Sequence, residues 1–125
     1  MIVGLAVVLL AAHATPAAPG AALGRGFAAY RAGDYHEAAE TLRSAIGKGL
    51  RNDDWALFLL GESEFYDGDY AAARGRFEKL ARGHGRPAQM APFRIADCLW
   101  MAGDRAAGKH ARQSSVPASG RCSAK

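Results

Sequence analysis

Cysteine is nearly absent from this chain: there are two in 125 residues, Cys98 and Cys122. Two thiols form no framework, and nothing in their spacing supports a bridge, so stability has to come from packing. Cys98 sits in an apolar helical run and reads as a small buried core residue. Long hydrophobic runs are also missing. The most apolar stretch, Ile2 to Ala12, has 11 residues, against about 20 needed to span a bilayer. His36, His84 and His110 are scattered, and no pair has metal-ligand spacing. Gly24-Arg25-Gly26 and Gly83-His84-Gly85 lack the strand–loop–helix frame and the Lys-Ser/Thr of a phosphate loop. No Ser/His/Asp or Cys/His arrangement is supported. The expectation is a protein with no cofactor, no metal and no catalytic machinery of its own.

What is present is ordinary in amount and telling in arrangement. Half the residues are apolar, 22% are charged, and aromatics make up 9%. Alanine and glycine dominate, which suits close-packed helices. The net charge is +4, with a pI near 9.4, but position removes the hint of nucleic acid. Up to Gly103, eleven Lys/Arg cancel eleven Asp/Glu. The excess lies in Arg105, Lys109, Arg112, Arg121 and Lys125 against Asp104. A basic tail on a neutral domain is a weak signal for a polyanion or a membrane surface, set against the plainer reading of a solvated tail; no nucleic-acid partner is expected, and residues 114–125 read as a disordered basic tail.

The amino terminus reads as an address. The apolar run ends in Ala12-His13-Ala14, small at both positions a signal peptidase reads. No Lys or Arg precedes the run, and no cysteine offers a lipid anchor. Residues 1–14 are therefore expected to be a secretory signal, with a buried first helix as the competing reading, and 15–20, rich in proline and glycine, a linker. The location expected is periplasmic or secreted, with membrane contact only through the transient signal.

A period runs through the rest. Tyr30-Arg31-Ala32-Gly33-Asp34-Tyr35 recurs as Phe65-Tyr66-Asp67-Gly68-Asp69-Tyr70, and in eroded form as Trp100-Met101-Ala102-Gly103-Asp104-Arg105. The glycines are 35 residues apart both times. Seven residues before each lies a small residue, Gly26, Gly61 or Ala96; five after it lies another, Ala38, Ala73 or Gly108. Nine after it come Leu42 and Phe77, but then Arg112. Trp55, Phe58, Leu59, Glu62 and Phe65 follow helical spacing. Asn52, Asp53 and Asp54 offer capping oxygens and negative charge at that helix start. Gly68 suits a left-handed helix end and Asp69 the cap of the next helix. Gly83 to Pro87 breaks the second helix. Small residues at a crossing, with large ones a turn away, are what an antiparallel helix pair needs.

The segment Leu60-Gly61-x3-Phe65-x2-Gly68-Asp69-Tyr70-x2-Ala73-x3-Phe77-x2-Leu80 resembles the tetratricopeptide repeat. The first unit matches at Gly26, Tyr30, Gly33-Asp34-Tyr35, Ala38, Leu42 and Ala45; the third matches in its first helix and turn. The resemblance implies an all-α fold of antiparallel helix-turn-helix repeats, stacked as a short right-handed α-solenoid. It would span 21–113, in units of about 21–52, 53–87 and 88–113. Two departures stand out. Pro16, Pro19 and Gly20 predict a shortened or irregular first helix. Arg105 to Gln113 has no large apolar residue and is expected to bury no face, leaving the stack without a cap. The chain then reads as a truncated or frame-shifted remnant of a longer protein, with self-association through its unfinished carboxyl end.

In such repeats the first helix of each pair lines a concave face. That mapping implies a groove of Phe27, Tyr30 and Arg31 in unit one, Trp55, Phe58, Glu62 and Tyr66 in unit two, and Phe93, Asp97, Trp100 and Met101 in unit three. A concentration of aromatics is the composition of interface hot spots; the competing reading is that Phe58, Tyr30 and Trp100 pack helix against helix, while Trp55 and Tyr66, which flank the core stripe, are expected to be exposed. The partner expected is a protein or peptide. The charged groove used for carboxylate-ending peptides needs Lys, Asn and Arg there, and they are absent. One competing resemblance exists. Glu62-Ser63-Glu64-Phe65 matches the Glu-Ser-x-Phe motif of soluble lytic transglycosylases, but their Gly-Leu-Met-Gln segment is missing. Chance explains Glu62, while the non-catalytic helical repeat region of such a cell-envelope enzyme stays as the alternative function.

Overall fold

The computed structural model describes residues 18–116. Within them six helices follow one another: α1 (Pro19–Ala32), α2 (Tyr35–Ala45), α3 (Asp53–Tyr66), α4 (Tyr70–Ala81), α5 (Gly85–Met101) and α6 (Arg105–Ser115). There is no strand among the described residues. Each helix packs on the next, and α3 also touches α1 and α5. The odd-numbered helices therefore stand side by side as one layer, with the even-numbered helices behind them. The all-α repeat fold is as the period predicts. The proposed signal at 1–14 lies outside the described residues, as does the tail beyond residue 116.

The turn within each pair is built three times from the same two residues. Gly33, Gly68 and Gly103 have φ of 86°, 91° and 94°. That left-handed conformation burdens any residue with a Cβ. Past the first two, the Asp34 N–H donates to the Ala29 carbonyl at 3.0 Å, and the Asp69 N–H to the Glu64 carbonyl at 2.9 Å. These bonds satisfy carbonyls that the helix end would otherwise orphan. Asp69 and Asp104 then cap α4 and α6, accepting from the N–H groups of Ala72 (3.1 Å) and Ala107 (3.0 Å). Asp34 holds the same backbone angles without a side-chain cap bond.

The crossing within each pair depends on the small residues. A Cβ on Gly26 would lie 2.6 Å from Leu42 Cγ, and one on Gly61 2.8 Å from Phe77 Cζ. Leu42 and Phe77 are fully buried, and burying each contributes about 1.5–3 kcal/mol. The third pair reverses the roles. Where the first two units have Leu42 and Phe77, it has Arg112, so no large side chain fills the crossing. Instead Gly108 approaches α5 directly, and a Cβ there would lie 3.1 Å from both the Ala96 carbonyl oxygen and the Trp100 nitrogen.

Glu64 joins three helices. Its side chain is fully buried; Arg43 Nη2 of α2 lies 3.1 Å away, and Arg76 Nε of α4 also 3.1 Å. A buried carboxylate is tolerable only when paired and hydrogen-bonded, and stripping its partners costs about 3–5 kcal/mol. Ser63, equally buried, donates to the Leu59 carbonyl at 2.8 Å. Cys98 is buried in the core, where desolvation raises its thiol pKa to about 11; such a thiol is unreactive.

Four local expectations are corrected. The first helix is neither short nor irregular: α1 has 14 residues and starts at Pro19, inside the stretch read as a linker. Proline suits a first turn, because its missing N–H would be unbonded there anyway. The break before the third unit falls at Arg82 to His84, so Arg86 and Pro87 belong to α5. Asn52 stands at the N-cap of α3 but makes no side-chain cap bond. Finally α6, expected as a helix that buries nothing, buries Gly108 and runs on through Ser114 and Ser115, which read as part of the disordered tail. A helix without large apolar residues can still pack if its backbone comes close. Its other face, with Arg105, Lys109, His110, Arg112 and Gln113, is polar and exposed.

Two glycines of the second unit should respond oppositely to alanine. Gly75, mid-α4, has nothing within 4 Å of an added Cβ, so Gly75→Ala should raise stability by about 0.5–1 kcal/mol. Gly61→Ala should lower it by about 1–2 kcal/mol, the overpacking against Phe77 exceeding the helix-propensity gain. Urea unfolding midpoints of the two variants check the opposite signs.

Candidate functional site

Between α1 and α3 lies an open groove of about 590 Å³. Leu23, Phe27 and Tyr30 come from α1; Trp55, Phe58, Leu59 and Glu62 come from α3. Gly20 and Gly24 also line it, and their lack of side chains keeps the α1 wall low. The groove exists because α3 is apolar on two sides. Ala56, Leu57, Leu60 and Gly61 turn inward and are buried, while Trp55, Leu59 and Glu62 stay partly exposed. The stripe read from sequence as one helix face is thus largely the groove face. Phe58 belongs to both, buried at 9% exposure and edge-on to Trp55 (5.9 Å) and to core Phe77 (5.5 Å). Through it the rigid core positions Trp55, which is 49% exposed.

Of the residues the repeat resemblance mapped to a groove, five meet here: Phe27, Tyr30, Trp55, Phe58 and Glu62. Arg31 does not line the groove; its guanidinium sits 6.0 Å from the centre of the Phe27 ring. Tyr66 stands with Tyr35 (5.0 Å, stacked) and Tyr30 (6.4 Å) near the turns. Phe93 and Met101 are exposed on α5, outside this lining. Trp100 lies beside α6, lining a smaller pocket with Gly108, Lys109 and Arg112. Asp97 is held by Arg94 and Arg112.

The charge on the groove wall is already answered. Burial raises the pKa of Glu62, and the Asp97 charge adds to that; Arg94 of α5 opposes both by pairing with the carboxylate. Arg94 also packs over the Phe65 ring at 4.3 Å and reaches Asp97 Oδ2 at 2.9 Å. A chain of ion pairs, Glu62–Arg94–Asp97–Arg112, so runs from α3 to α6. Tyr30, the other titratable group on the wall, has its pKa raised by burial first and by Glu62 second. Neither Leu23 nor Arg94 was singled out from sequence. Arg94 had a signal: it occupies the repeat position of Leu59, 35 residues on, and a charge at an apolar register position asks for a partner. No group of three or more His, Cys, Asp or Glu that could hold a metal is found among the described residues.

One further polar link spans the units. His36 Nδ1, at the start of α2, lies 3.0 Å from Asp67 Oδ2 in the α3–α4 turn. The hydrogen bond to Asp67, then its charge, raises the His36 pKa above the ordinary 6.5. A raised folded-state pKa means the link stabilises below about pH 6.5 and is lost as pH rises through the folded value. Proton NMR titration should place His36 above its ordinary value in the native chain, and at it in Asp67→Asn.

Three pairs of helices, each closed by a glycine–aspartate turn and crossed at a small residue, make up the fold, and the first helices of the first two pairs wall the groove. A family model described as tetratricopeptide repeat matches residues 8–54 and 58–108. No curated protein and no solved structure matches the chain. With most of its length inside those two matches, this chain belongs to the tetratricopeptide repeat family.

Proposed function

We propose that the chain is an exported scaffold that docks an apolar or amphipathic segment of a partner protein in the α1–α3 groove. The observation that carries this reading is the groove itself: open, walled by Phe27, Tyr30, Trp55 and Phe58, with its one carboxylate neutralised by Arg94. Aromatic anchors on a rigid floor are the usual seat of binding energy at interfaces, and repeats of this family serve in general as protein-interaction scaffolds. A neutral apolar wall favours bulky uncharged side chains over an acidic or carboxylate-ending peptide. Glu62 and Tyr30 are the titratable groups lining the groove, and the Glu62 ion pair with Arg94 is a structural use of the carboxylate. The apolar run Ile2–Ala12 and the Ala-His-Ala that closes it support export with removal of residues 1–14.

Peptide display against the protein should select sequences rich in Leu, Phe or Trp without clustered acidic residues. Trp55→Ala should weaken the selected binders at least ten-fold, about 1.4 kcal/mol or more, with the far-ultraviolet helical signal nearly unchanged. Binding that survives both Trp55→Ala and Phe27→Ala would remove the groove from this role. Export is checked separately by expressing the chain with a reporter active only outside the cytoplasm. The secreted product should begin at Thr15; a product retained inside with residues 1–14 attached would overturn it.

A further inference from the structure

The groove leaves unused the flank of the molecule where its whole charge excess begins. On α6, Arg105, Lys109, Arg112 and Val116 follow one another at i, i+4, i+7 and i+11, so they share one side of the helix, Val116 just past its end. Trp100 of α5 lies against this side. The Arg105 guanidinium is 5.4 Å from its ring centre, and Lys109 and Arg112 line the pocket beside it. Trp100 is 40% exposed, Met101 50% and Val116 43%. Large apolar side chains and three cations therefore stand together at one end of the stack; Arg112 is paired with Asp97, whereas Arg105 and Lys109 have no ion-pair partner among the described residues.

The acidic groups nearby are few and occupied. Asp97 is shared by Arg94 and Arg112, and Asp104 caps the Ala107 N–H. Among the described residues no carboxylate lies within ion-pair distance of Arg105 or Lys109. Beyond residue 116 the chain adds Arg121 and Lys125 and no acidic residue.

We infer that this flank, Trp100 with the Arg105–Lys109–Arg112 row of α6, docks on the surface of a bilayer containing anionic lipids. The chemistry of the partner follows from the pairing of groups. Cations alone would suit any polyanion, but exposed Met101 and Val116 gain nothing from a soluble one. At a lipid headgroup boundary they leave water while the cations meet phosphates, and tryptophan prefers that boundary. Each basic residue near an anionic surface contributes about a five-fold gain in affinity, so few charges give weak, reversible and salt-sensitive attachment.

The test is vesicle sedimentation of the full chain, with Trp55→Phe as background so that Trp100 is the one tryptophan left. Vesicles of phosphatidylcholine, with and without phosphatidylglycerol, are compared at low and high salt. The zwitterionic vesicles measure adsorption by the apolar run Ile2–Ala12. Expected are tighter binding to anionic vesicles, loss of that gain at high salt, and a blue shift of Trp100 emission. The double variant Arg105→Glu/Lys109→Glu should lose at least ten-fold of the anionic gain, with helical content retained. Equal binding to both vesicle types, an unshifted Trp100 spectrum on sedimented protein, or heparin binding as tightly as vesicles with no spectral shift would each overturn the inference. None of these outcomes depends on Phe27 or on a peptide in the groove.

Discussion

How closely two helices of a pair can approach governs the rest of this molecule. At Gly26 and Gly61 the opposing side chain occupies the volume a Cβ would need. Leu42 and Phe77 can then be fully buried in a chain with few large apolar residues. Dispersion and burial at such a contact are lost quickly with distance, so a methyl group at either glycine would push apart the surfaces that stabilise the pair. The third pair obeys the same constraint by other means. Its register position for a large residue holds Arg112, and the approach is made by the Gly108 backbone against Ala96 and Trp100.

That constraint was legible in the sequence because it recurs. Three glycine–aspartate turns at a fixed interval, with small residues at constant offsets, are a spatial statement: in each unit the two helices cross at the same distance from their turn. What recurs once or not at all was harder to read. Glu64 looks like a solvent-facing residue on an amphipathic helix; its burial depends on Arg43 and Arg76 arriving from two other helices, and no local pattern announces that. Arg94 likewise draws its place from Glu62, 32 positions earlier. The expectation that Arg105 to Gln113 could bury nothing rested on side-chain size, whereas a glycine buries surface by admitting its neighbour's backbone.

The groove follows from the central position of α3. A helix flanked by α1, α2, α4 and α5 needs apolar residues around most of its circumference, and its remaining apolar side opens between α1 and α3. Single-sequence periodicity finds that stripe, sets Trp55 on its flank and leaves Phe58 open to either core packing or the groove. The structure separates them: Phe58 leans on Phe77, Trp55 projects. The mapped residues of unit three dispersed for a related reason. With no further unit after α6 among the described residues, Trp100 and Asp97 turn to α6, and the ion pairs that elsewhere link units end at Arg112.

The central claim is that these helices form one self-supporting stack rather than a string of marginal turns. Thermal unfolding of the whole chain, followed by far-ultraviolet circular dichroism, tests it most directly. A helical spectrum lost in a single cooperative transition is the result predicted, since Glu64 and the shared core join every unit to its neighbour. A helical signal that fades without a transition, or a spectrum that is mostly coil at low temperature, would contradict it.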